Sequence, residues 1–168
     1  DLVIDHALSR PDESLAVVTL NARHAQRIRE AIISAVADSP AIDSFFKPTA
    51  VEPFVTLDAA HAAGLRRDRI ILAVGFAKTP HGRVLHDFGA ISGSTGPSLL
   101  VDALSAVRGD LDVVASFAPE DIDESRLNSE GARMLVDLLA SAQESGKALS
   151  PIELAQASTE EESEPDRL

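Results

Sequence analysis

Short apolar runs alternate along this chain with longer stretches of helical period, and that alternation carries most of what the sequence says about structure. Leu15 to Leu20 (LAVVTL) is continuously apolar and β-branched, the pattern of a strand covered on both faces in a parallel sheet. Asn21 then opens a predicted helix. Along ARHAQRIREAIISAVADS the apolar Ala25, Ile28, Ile32, Ala35 and Val36 recur at helical spacing, Arg23, Arg27, Arg29 and Glu30 take the opposite face, and Pro40 stops it. A second strand is predicted at Pro53 to Leu57 and a third, stronger one at Arg69 to Phe76 (RIILAVGF). From Ala77 to Gly96 the text turns to Gly, Pro, His and Ser, which predicts an excursion off the sheet with a small hairpin through Arg83 to Phe88. Pro97 and Gly109 frame a further helix whose apolar stripe is Leu100, Ala103, Leu104 and Val107. Leu111 to Phe117 (LDVVASF) predicts another strand, and Asn128 or Ser129 caps a last helix carrying Leu135, Leu138, Leu139 and Ala142.

Strands alternating with helical stretches predict an α/β fold in three layers, a mostly parallel sheet with helices on both faces. Ligands in such folds sit beyond the carboxyl ends of the strands. Here those ends are the turns Leu20 to Ala22, Phe76 to Lys78 and Phe117 to Pro119, and chemistry is expected there. One domain is expected over residues 1–146. Residues 147–168, ending in STEEESEPDRL, read as an acidic tail or a linker to a following domain. The first residues lack an initiator Met, so a piece of a longer protein is the expectation.

Composition narrows the function classes. The chain has 168 residues, 45% of them hydrophobic, enough to bury a full core without disulfides or metals. Aromatics are only 4%, with no Trp or Tyr, so a base-stacking platform for single strands would rest on six Phe alone. Fifteen basic against twenty-seven acidic side chains give a net charge of −12, the opposite sign from the footprint of a free-standing nucleic-acid binder. Weak, salt-sensitive nucleic-acid binding is the expectation for the chain by itself. Cysteine is absent, which removes disulfides and thiolate chemistry and fits a reducing, cytoplasmic setting. No apolar run approaches the roughly 20 residues of a membrane-spanning helix, and no membrane partner is expected.

Local motifs point mostly to ordinary structure. The glycine loop ending in Lys and Ser or Thr that holds a triphosphate is missing; Gly93-Ser94-Thr95-Gly96 before the Pro97 helix is the nearest candidate for an anion, and it lacks the lysine. His81, His86 and Asp87 hint at a metal, but on a strand that odd spacing sends the two imidazoles to opposite faces, and no metal site is expected. Ser92, Ser94 and Ser105 lie outside any Gly-x-Ser-x-Gly elbow, so an esterase is rejected. Arg66, Arg67 and Arg69 beside Gly64 form a basic cluster, read either as a solvated turn or as a fork of donors for a phosphate.

The order of segments resembles the second RecA-like domain of superfamily 1 DNA/RNA helicases, especially large bacterial helicase-like proteins in which this half precedes an endonuclease-like domain. SLAVVTLNARHAQRI resembles helicase motif IV, and AAGLRRDRIILAVGF resembles motif V, whose family pattern reads Gln-Gly-Asp-Glu-Arg-Asp before a buried strand. TPHGRVLHDFGAIS is similar to the loop ahead of motif VI, and LLVDALSAVRGDLDVVASFAPEDID to motif VI and its following strand. The likeness runs from Ser14 to about Ala142.

The resemblance implies a three-layer RecA-like lobe that forms one wall of an ATP cleft and part of a single-strand track. ATP and Mg would bind only together with a first RecA-like lobe, the implied partner, and DNA or RNA weakly. It implies nucleotide contacts at Gly64, Arg66, Asp68 and Arg108 and nucleic-acid contacts at Thr19, Asn21 and Ser105; equally, Asn21 reads as a plain helix cap. Departures accompany the matches. In motif V, Ala63, Leu65 and Arg66 stand where the family has Gln, Asp and Glu, leaving Gly64, Arg67 and Asp68 in agreement. In motif VI the arginine that acts on the γ-phosphate is Ala106 here, and Arg108, two residues on, is turned about 200° from it if both lie on one helix. An arginine finger is worth roughly 10³ to 10⁵ in turnover, so this half is expected no longer to stimulate hydrolysis in the normal way, and without a first lobe to carry the phosphate loop the chain is expected not to hydrolyse ATP alone. The alternative implied by the same losses is a degenerate lobe kept as a structural or protein-interaction module.

Overall fold

The computed structural model describes residues 1–146 apart from 38, 77, 78 and 80; the expected acidic tail 147–168 lies outside the described residues, as does part of the Phe76 to Lys78 turn. The fold is α/β, with four parallel strands between two layers of helices, an architecture consistent with a RecA-like lobe. The strands are β1 (Leu15–Thr19), β2 (Val55–Asp58), β3 (Arg67–Val74) and β4 (Val107–Ala115), in the order β2-β1-β3-β4. The helices are α1 (Leu2–Ser9), α2 (Ala22–Ala37), α3 (Gly96–Ser105) and α4 (Glu130–Ser145).

Side-chain alternation explains the layers. Ala16, Val18, Ile70, Leu72 and Val74 face one side, where Leu100 and Ala103 of α3 and Leu135, Val136 and Leu139 of α4 cover them. Leu15, Val17, Ile71 and Ala73 face the other, under Val3 of α1, Ile28 and Ile32 of α2, and Phe45, Phe46 and Phe54. The central strands β1 and β3 are thus apolar on both faces, as their continuous runs predict. The edge strand β4 is different: Asp110 and Asp112 alternate with apolar residues, and Arg10 (3.0 Å) and Arg69 (2.6 Å) hold their carboxylates.

Three expectations need correction. The helix before β4 ends at Ser105 instead of running to Gly109, because the next residues join the sheet: Arg67 N–H donates to Ala106 C=O (2.9 Å), and Val107 pairs with Arg67. Val107, Arg108 and Gly109 are therefore strand residues, and the 200° offset between Ala106 and Arg108 does not apply. Gly109 sits where the β3–β4 register shifts, and a Cβ there would come within 2.9 Å of the Asp68 carbonyl oxygen, so the glycine marks an irregularity in pairing instead of a helix stop. No hairpin forms among the described residues of Arg83 to Phe88. Thr79 and Arg83 close a turn, and the chain beyond it lays Val84, Phe88 and Ile91 into the core, so much of this excursion is buried structure. Helix α1 was not expected from its short sequence; it docks through Val3, His6 and Ala7.

Candidate functional site

The chain leaves β1 outward to β2 and then crosses to β3 on the other side of β1, which puts the topological switch point at the carboxyl ends of β1 and β3. The polar groups there serve the fold. Thr19 is fully buried and its hydroxyl donates to the Asn21 carbonyl oxygen (2.7 Å). The Asn21 side chain accepts from the His24 N–H (2.8 Å), the bond of a residue capping α2. The His24 imidazole lies over Gly75, where a Cβ would stand 2.0 Å from Nδ1, and burial followed by the charge of Arg27 lowers the His24 pKa.

The charged cluster lies at the opposite, amino edge, away from the carboxyl ends where chemistry was expected. Gly64 and Arg66 lie in the turn that enters β3, Asp68 is its second residue, Ser105 ends α3 and Arg108 is the second residue of β4. The structure thus gathers the four resemblance-derived nucleotide positions, with Ser105, at one edge and leaves Thr19 and Asn21 at the other. Gly64 takes φ +78° in the turn closed by Leu65 N–H to Ala62 C=O (3.0 Å), a conformation that side chains resist. Arg66 is exposed and donates to the Leu65 carbonyl oxygen (2.8 Å).

Two residues that the sequence did not single out complete the cluster. Asp68 Oδ2 accepts from both the backbone N–H and the hydroxyl of Ser14 (2.8 Å each), and Asp68 N–H donates back to the Ser14 oxygen (3.0 Å). Arg108 donates from Nε to Asp68 Oδ1 (3.1 Å), from Nη2 to the Ser14 oxygen (3.1 Å) and from Nη1 to Glu52 Oε1 (2.8 Å), and its Nη2 also meets Glu52 Oε2. The hydrogen bonds from Arg108, and then Ser14, pull the Glu52 carboxyl down to about 2, while those from Ser14 chiefly lower Asp68. The Glu52 contact raises the Arg108 pKa further. Every edge of the Arg108 guanidinium is engaged.

Ala106 turns away from this edge. It is fully buried and packs with Leu100, Ala103 and Leu135 in the larger core cluster, so the position matching the family's arginine finger faces the interior and the residues present do not fit a γ-phosphate contact from that point. Gly96, in the loop weighed as an anion site, has a packing reason: a Cβ there would lie 1.8 Å from the Ile91 carbonyl oxygen, and one on Gly131 would lie 2.0 Å from the same atom. The starts of α3 and α4 meet there. His81 is exposed, the His86 Nε2 accepts from Asp123 N–H (3.2 Å), and among the described residues no three His, Asp or Glu converge as metal ligands. No helix among the described residues is long and apolar enough to cross a membrane. No protein-family model matches the chain, and no curated protein matches its sequence.

Proposed function

We propose that this chain is the second RecA-like lobe of a cytoplasmic helicase-like protein, retained as a structural and protein-interaction wall that no longer supplies an arginine to ATP hydrolysis. The resemblance of its segment order supports the lobe, and the burial of Ala106 carries the loss: a side chain at 106 points into the core, not toward a neighbouring lobe. The first RecA-like lobe is the partner, and it would supply the phosphate loop and the carboxylate for Mg. A protein joining this lobe to such a first lobe tests the reading. Ala106→Arg should give no gain in nucleic-acid-stimulated ATP turnover, and a large gain with the fold intact would refute it.

A second reading, a wall that still meets ATP, is favoured by one observation: Gly64, Arg66, Asp68 and Arg108 share the amino edge. For Arg108 to reach a phosphate it would have to leave Glu52 and Asp68.

A further inference from the structure

Glu52 stands apart from the groups it touches. Ser14, Asp68 and Arg108 are placed by three adjacent strands, at the amino ends of β1, β3 and β4, whereas Glu52 arrives on the loop ahead of β2, of which Lys47 to Val51 are exposed. Arg108 meets its carboxylate through both terminal nitrogens, the parallel pairing a guanidinium makes equally with a phosphate. Beside it lies Arg67, only 9% exposed, whose Nη2 donates to the Pro53 carbonyl oxygen (2.8 Å) and whose Nε has no hydrogen-bond partner among the described residues. A buried guanidinium with an idle N–H is an expensive feature unless an anion is near. Asp68 holds Arg108 independently (2.9 Å), so the donor geometry does not rest on Glu52.

We propose that Arg108, with the positive charge of Arg67 beside it, forms a phosphate site that this chain fills with its own Glu52 carboxylate. The charges of Arg108 and Arg67 are balanced by those of Glu52 and Asp68; neutralising Glu52 leaves one net positive charge and frees the Arg108 Nη1 and Nη2 donors that now hold it. The occupant expected then is a small terminal phosphate, free or on a nucleotide, since the net charge of −12 opposes a polyanion. The inference stands whether or not the chain is a helicase lobe.

Titration of the folded chain with inorganic phosphate and, separately, with ATP in the absence of metal tests this, read by calorimetry in every variant. Glu52→Gln should bind phosphate at least about tenfold more tightly than the wild type, the step that one lost charge-assisted competitor represents. Glu52→Gln/Arg108→Gln should lose the gain. Equal gains for both ligands assign the site to the phosphate alone; a larger gain for ATP assigns it to a nucleotide. Equal affinity of wild type and Glu52→Gln, or a gain that survives in the double variant, overturns the proposal. Should circular dichroism show Glu52→Gln unfolded, Glu52→Asp, which draws the carboxylate back by one methylene, takes its place. A smaller gain is expected there, and none would overturn the proposal equally.

Discussion

The two edges of the sheet use polar residues in opposite ways. At the carboxyl edge the Thr19 hydroxyl and the His24 backbone N–H both donate to Asn21, partners within three residues of one another, and the result is a capped helix start beside a buried His24 Nδ1 that has no hydrogen-bond partner among the described residues. At the amino edge Ser14, Glu52, Asp68 and Arg108 form one charged network whose hydrogen-bonded partners stand 40 to 94 residues apart in sequence. Local bonding makes an edge that serves the fold; long-range convergence makes the edge at which a ligand is proposed to take the place of Glu52. The contrast also locates the loss proposed for this chain, because Ala106 adjoins the network in sequence yet turns into the core.

The largest effect is expected where a charge is forced across that boundary. Ala106→Arg buries a guanidinium without a partner and should destabilise the chain by about 3–5 kcal/mol, seen as a fall in melting temperature of roughly 10 °C. A melt near the wild type would mean that residue 106 reaches solvent and that the core assignment is wrong. Next in size is Gly131→Ala: its Cβ would meet the Ile91 carbonyl oxygen at 2.0 Å, so separating α3 from α4 should cost about 1–3 kcal/mol in chemical denaturation. Asn21→Ala removes the cap of α2 and should cost about 1 kcal/mol. Losing far more than that would show the carboxyl edge to be a network like its counterpart.

The smallest effect is the acid response of the amino edge. The Glu52 carboxyl, at about 2, lies below its ordinary 4.5, so its stabilisation is complete above pH 4.5 and disappears as pH falls toward about 2. Arg108→Ala should flatten the acid limb of a stability–pH curve in that window, and added salt should shrink the difference because the pair is partly exposed. An unchanged limb would show that Arg108 does not hold Glu52 in solution.

The central strands β1 and β3 were legible because burial on both faces writes itself as continuous apolar runs, and α2 and α4 because their stripes keep helical period. Helix α3 was read too long: Val107 continues its stripe, and only pairing with β3 draws that residue into a strand, a tertiary event absent from local pattern. Helix α1 was missed because eight residues without a side-chain cap give little signal. In the cluster, Asp68 and Arg108 were found through the resemblance, while Ser14 and Glu52 had no local mark. Their one clue is position: each stands just ahead of a strand, and in a parallel sheet all such positions share an edge. Strand order, which the sequence does not state, decides which of them touch.

The most direct measurement is nucleic-acid-stimulated ATP turnover in a protein that joins this chain to a first RecA-like lobe, compared with its Arg108→Ala variant. If the lobe has no part in hydrolysis, the two rates agree within about twofold, whereas a drop of roughly 10³-fold, the loss expected on removing an arginine finger, would show Arg108 at work on the phosphate and contradict it.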